Sequence, residues 1–157
     1  MFWKIIAWVV SRPAIADRII RYADRHPYKH LPGYMNRGWI LNPYDQKTHR
    51  AKYNWLPFSI RVHHILRADK GRHLHDHPWN ARTIILRGAY REVRLNGSQF
   101  TRICGDTARL NFGEYHKIQW VSGGVCTLFI TGRFKGVWGF LVKGKKVQHY
   151  EYDESTY

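Results

Sequence analysis

Three histidines alternate with other residues in "GRHLHDHPW" (71–79): His73, His75 and His77. Imidazole nitrogens suit iron, zinc, copper and nickel, whereas magnesium and calcium take oxygen donors. In an extended segment alternate side chains share a face. The three rings can therefore converge on one ion, with a further ligand supplied from another strand. Asp76 falls on the opposite face, where it suits a turn or an ion pair better than a metal. By itself the alternation leaves a second reading open, a polar strand edge that collects histidines. Further along, "LNFGEYHKI" presents His116 just after a glycine-containing turn. His63 and His64 are neighbours in a strand-like run, so one of them must face inward. His26, His30, His49 and His149 read as surface or packing residues.

The elements that must position these rings are mostly strands. From Pro57 onward the chain runs through "PFSIRVHHILRAD", "ARTIILRGAYREVRL", "SQFTRIC", "TARLNFGEYHKIQWV", "GVCTLFITG" and "GVWGFLVKG". These are short β-branched and aromatic stretches divided by "ADKG", "NGS", "GD", "SGG" and "KGKK". That texture predicts a β-sandwich or barrel. Before it, Ser11 is a good helix N-cap and Pro13 suits a first helical turn. Ile15, Ile19, Tyr22 and Ala23 then recur at helical spacing until Pro27 stops the helix. "MFWKIIAWVV" is apolar but too short to span a membrane and a poor export signal, so a packed or membrane-touching helix is expected. Residues 28–56 mix Gly, Pro and Asn with many aromatics, and are read as an irregular segment wrapped over the domain. The expected division is 1–56 for the helices and wrapping segment, 57–150 for the barrel and 151–157 for an acidic tail, in one globular domain.

The spacing of the histidines resembles the cupin family. Its first motif commonly runs G-x5-H-x-H-x3/4-E-x6-G, and its second ends in a metal-binding histidine within G-x5-P-x-G-x2-H-x3-N. With the last glycine of the first motif at Gly88, the paired histidines are His75 and His77; using His73 and His75 would put Leu86 at the glycine. His116 takes the second-motif histidine and Gly113 the glycine three residues before it. The chain departs from the pattern at Asp69 (the opening glycine), Asn111 (the proline), Trp120 (the asparagine) and above all Ala81, which stands where the glutamate belongs. Stretches such as "HDHPW", "ILRGAY" and "WGF" are also similar to uncharacterised cupin-like proteins of bacteria and phages. The resemblance implies a double-stranded β-helix (jelly-roll) barrel. It further implies a three-histidine site like that of thiol-dioxygenase-like cupins, in which His75, His77 and His116 hold a divalent metal facially. Fe(II) is the first expectation, with Zn, Ni or Mn as alternatives. His73 is a candidate extra ligand. The 2-oxoglutarate oxygenases fit less well, because they need a His-x-Asp/Glu pair.

A facial site leaves coordination positions open, which catalysis needs and a structural site does not. Dioxygen and a small substrate could then bind side by side. Arg61, Arg82, Tyr90 and Trp138 are candidates for holding that substrate, by strand position. The formal charge of +15, from 26 Lys and Arg against 11 Asp and Glu, points to an anionic partner. This leaves three functions in view: an iron-type oxygenase acting on a small molecule, an anionic one if the charge serves the site; a non-catalytic cupin module that grips a nucleotide or nucleic acid; and a scaffold whose apolar N-terminal helix docks a partner. No GxGxxG or GxxxxGK[ST] phosphate loop is present. Cys104 and Cys126 read as two buried free thiols, which suits a reducing cytoplasm. A homodimer is a weaker expectation.

Overall fold

The computed structural model describes residues 1–45, 47–69 and 73–153. Gly71 and Arg72 of the histidine stretch, and residues 154–157 of the acidic tail, lie outside them. Two helices, α1 (Phe2–Val10) and α2 (Pro13–Asp24), precede the strands β1 (Met35–Leu41), β2 (Phe58–Ile65), β3 (Ala81–Arg87), β4 (Ala89–Arg94) and β5 (Gln99–Ile103). They are followed by β6 (Thr107–Leu110), β7 (His116–Val121), β8 (Val125–Gly132), β9 (Gly139–Val142) and β10 (Lys145–Gln148). One sheet has the order β1-β2-β8-β3-β6, and opposite it lie the β5-β4-β7 and β10-β9 ladders. An isolated bridge residue joins those two ladders: His75 pairs with His116 on one side and Phe140 on the other. The histidine stretch thus acts as the missing rung of the second sheet, although its described residues form no regular strand. The segment expected to wrap the domain supplies β1, an edge strand of the first sheet.

Strand alternation explains the two buried faces of the first sheet. In β8, Cys126 and Leu128 point outward to Ala7, Ala16 and Ala23 of the helices, which also pack Val62, Ile84 and Leu86. Val125 and Phe129 point inward, into apolar clusters with Ile85, Tyr90 and Ile118 and with Trp79, Ala81 and Leu110 respectively. A strand covered on both faces must be apolar throughout, as "VCTLFITG" nearly is. Gly38 of β1 lets α2 approach, since a Cβ there would lie 2.1 Å from the Ala23 carbonyl oxygen. Gly88 turns the chain from β3 to β4 at φ +74°, and a Cβ there would meet the Gly124 carbonyl oxygen at 2.6 Å.

Two local expectations are corrected. Ser11 is not a helix N-cap: it closes α1, its hydroxyl donating to the Trp8 carbonyl at 3.2 Å, and Arg12 precedes Pro13 as the cap of α2. The chain has two helices to join, and the serine hydroxyl satisfies one of the carbonyls left without a partner at the end of α1. Cys104 is exposed rather than buried, because it sits in the turn after β5, while Cys126 is a buried free thiol.

Candidate metal centre

His75, His77 and His116 each present one ring nitrogen, all within 4.8 Å of one another. Two backbone hydrogen bonds of 2.9 Å between His75 and His116 fix two of the rings, and Pro78 follows the third. The Nε2 atoms of His77 and His116 are 2.9 Å apart. Two nitrogens each about 2.1 Å from one ion, at a right angle, lie about 3 Å apart, so this spacing fits a shared ion.

Glu92 sets the chemistry of the cluster from behind. Its Oε1 accepts a hydrogen bond of 2.9 Å from His116 Nδ1. A carboxylate can only accept, so Nδ1 carries a proton, and in the neutral ring the lone pair of Nε2 faces the cluster. Burial opposes the charge on Glu92, but the His116 bond and the Arg94 and Arg102 guanidiniums hold its carboxyl below the usual range. Burial, and then the neighbouring His116 and His75, keep the His77 pKa well below the ordinary histidine value of 6.5. Neutral imidazole is the form a metal requires. The carboxylate missing at Ala81 is thus supplied one bond further out, by a strand the sequence motif does not include. Ala81 itself packs with Trp79, Leu110 and Phe129.

The cluster lines a cavity of about 900 Å³ between the sheets. On β2, alternation sends Arg61 and His63 into it. Arg61 is only 3% exposed. Its Nε donates to His63 Nε2 at 3.0 Å and its Nη1 donates to the Tyr44 hydroxyl. Its guanidinium lies 4.7 Å from the Trp79 ring centroid and 5.2 Å from that of Phe129. No carboxylate among the described residues pairs with it. His77 stacks on the same Trp79 ring at 5.0 Å, so one indole separates the guanidinium from the histidine cluster. Asp76 lies on the far face: its Oδ1 accepts from the Gly139 amide at 2.7 Å and its Oδ2 from Lys146 Nζ at 2.6 Å.

The other expected site residues divide. Tyr90 and Trp138 both line the cavity. Burial, and then the Glu92 charge, push the Tyr90 phenol far above its ordinary pKa, so it remains a hydrogen-bond donor. Trp138 stacks on His149 at 4.6 Å and meets the His75 ring edge-on at 6.3 Å. Arg82 is a correction: Ala81 and Thr83 take the inward positions of β3, so Arg82 points outward, 4.6 Å over the Trp3 ring of α1. His73 stands apart from the cluster, its Nδ1 3.0 Å from the Tyr152 hydroxyl. Sequence reasoning missed Glu92 and Tyr44. The signal for Glu92 was its place in "AYREVR", where it shares a strand face with the buried Tyr90.

Solved structures place this architecture. A cupin 2 conserved barrel domain protein from Rhodopseudomonas palustris is matched at 14% identity over 75% of this chain and 77% of that one, with a TM-score of 0.53. An uncharacterised protein with a double-stranded β-helix domain from Klebsiella pneumoniae is matched at 15% identity over 77% and 95%, with a TM-score of 0.52. A DMSP lyase structure is matched more loosely, at 12% identity and a TM-score of 0.48, over 62% of this chain and 47% of that one. The chain thus spans about half the length of that lyase. No protein-family profile and no curated protein matches the sequence. The fold is a cupin-type double-stranded β-helix, mainly β with two N-terminal helices, as the family resemblance implied. No helix among the described residues is long and apolar enough to cross a membrane.

The buried histidines predict an acid-labile apo-protein. Arg61 can only donate to His63 Nε2, so His63 is neutral, and burial and then Arg61 keep its pKa well below 6.5. Unfolding restores the ordinary value, so the unfolded chain binds more protons and stability falls as pH drops below about 6.5. The depressed carboxyls of Glu92 and Glu114 act in the same direction, but only below their ordinary value of 4.5. In the presence of chelator, the Tm is expected to decline between about pH 6.5 and pH 5, and less so in a His63→Gln variant. A flat profile across that window would refute the neutral assignment.

Proposed function

We propose that His75, His77 and His116 hold a divalent transition metal, Fe(II) in the active protein, and that the chain is an oxygenase acting on a small anionic molecule. The observation that carries this reading is the pairing of two features across Trp79. Three imidazoles converge on one side, and a buried guanidinium with no carboxylate partner among the described residues stands on the other. Buried charge is normally paired, and the cavity lining holds Lys29, Arg37, Arg61, Arg94 and Arg109 against Asp69, Glu92 and Asp153. Of those acids, Glu92 is already engaged by His116 and Arg94, and Asp69 accepts from Tyr34 and the Ile118 amide. A ligand carboxylate or phosphate is the complement that Arg61 lacks, and the Arg fork suits its geometry.

When bound, Fe(II) supplies open coordination positions for dioxygen chemistry on an adjacent substrate. The chain's own residues do the rest. Glu92 holds the proton on His116 Nδ1, Arg61 and Tyr44 fix the anionic end of the substrate, and Tyr90 offers a donor from the cavity wall. Trp138, Phe140 and Phe129 exclude water around the reacting part. The test is oxygen consumption by protein reconstituted anaerobically with Fe(II) and then given pools of small carboxylates and phosphate esters. Substrate-dependent uptake that disappears in His77→Ala is expected. No uptake with any pool, together with strongly salt-dependent nucleic-acid binding that survives chelation, would favour the binding-module reading instead.

A further inference from the structure

The helix α1 is apolar on both sides, which a surface helix of a water-soluble domain ordinarily is not. Its inner side is used: Trp3, Ile6, Ala7 and Val10 pack on the first sheet. Its outer side is not. Phe2 is 68%, Ile5 54% and Trp8 58% exposed, and Val9 is exposed beside them. The spacing 2, 5, 9 and 5, 8 puts these four on one stripe. A stripe of this kind marks an interaction surface.

The surroundings of the stripe identify what covers it. At the joint between the helices the Arg12 guanidinium lies 3.9 Å over the Trp8 ring. Along α2 and at its C-cap, Arg18, Arg21 and Arg25 recur at helical spacing and are all exposed, and Lys4 is exposed on α1. Both helices pack on the same sheet, α1 against β3 and β6 and α2 against β1 and β2, so their outer sides face the same way. The acids there are few: Asp17 is paired with Arg87, and Asp24 is exposed. A second copy of this chain would bring the same cations together, on a molecule already at +15. An anionic bilayer meets both needs. Aromatic and aliphatic side chains seat at the headgroup boundary, while flanking Lys and Arg meet the negative lipid charge. Nine helical residues rise about 14 Å, less than half of the roughly 30 Å hydrocarbon core, so the helix lies in the interface and does not cross.

We propose that the outer face of α1, framed by Lys4, Arg12, Arg18, Arg21 and Arg25, docks this protein on an anionic membrane surface. Co-sedimentation of the full chain with vesicles tests it. Binding is expected to phosphatidylcholine vesicles containing about 30% phosphatidylserine and not to phosphatidylcholine alone. The Phe2→Ser/Trp8→Ser pair should lower the bound fraction at least about tenfold. Arg18→Glu/Arg21→Glu and raised salt should do likewise. All four positions are exposed, so the Tm of each variant should match the parent, and Phe2→Ser alone serves if the pair does not. Absence of binding to the anionic vesicles would overturn the proposal, as would equal binding to neutral ones or full binding by Phe2→Ser/Trp8→Ser. So would a dimer in sedimentation velocity that the same pair of substitutions dissolves, because a second copy would then cover the face.

Discussion

Metal affinity is expected to fall about 10- to 100-fold in Glu92→Gln and further in His116→Ala. The two losses have different causes. Glu92 touches no metal position. It holds the proton on His116 Nδ1 and keeps the ring turned so that Nε2 faces His77 at 2.9 Å. A glutamine can still meet Nδ1, but without charge, so the imidazole becomes less basic and its tautomer less fixed. Removing the His116 ring takes away a donor atom altogether and leaves Glu92, 2% exposed, with Arg94 and Arg102 as its remaining partners. Titration with Co(II) or Zn(II) against a competing chelator reads both. Equal affinity in Glu92→Gln and the parent would remove Glu92 from the account, and equal affinity in His116→Ala would remove the cluster.

Arg61→Met is expected to change two properties in opposite directions. Hydrogen bonds to a charged group contribute about 1.5–3 kcal/mol, so binding of a small carboxylate or phosphate should weaken by roughly 10- to 150-fold. The empty protein should keep or raise its Tm, because a buried cation with no carboxylate partner among the described residues is being replaced by an apolar chain. The stem would remain between the Trp79 and Phe129 rings that now flank the guanidinium. Ligand-induced shifts in Tm measure the first effect and the ligand-free Tm the second. A large fall in ligand-free Tm with anion binding intact would make Arg61 a structural residue.

Local signals carried most of the fold. Turn residues separated the strand-forming runs at nearly the right places, and β8 read as apolar because both of its faces are covered. The three rings that converge were also legible: His75 and His77 are two apart in an extended stretch, and His116 follows a glycine turn at the spacing of the second motif. What failed depended on pairing between distant strands or on the phase of one strand. Glu92 reaches His116 because β4 pairs with β7, with a register shift between Arg91 and Glu92 that no local pattern announces. Arg82 was assigned inward, and one residue of phase in β3 turned it to the helices. His73 shares the alternation of its neighbours, but among the described residues of that stretch the bridge pairing falls at His75, and the His73 ring meets Tyr152 instead. Tyr44 could not be seen at all, since an isolated bridge with Ala51 brings it to Arg61 from an otherwise irregular segment.

The central claim is a metal held by three histidines, and metal content per chain tests it most directly. The full chain, reconstituted with excess Fe(II) or Zn(II) without oxygen and desalted, is predicted to retain about one ion per molecule. The variant carrying His75→Ala, His77→Ala and His116→Ala together should retain none. Equal metal in parent and variant, or none in either, would contradict the account.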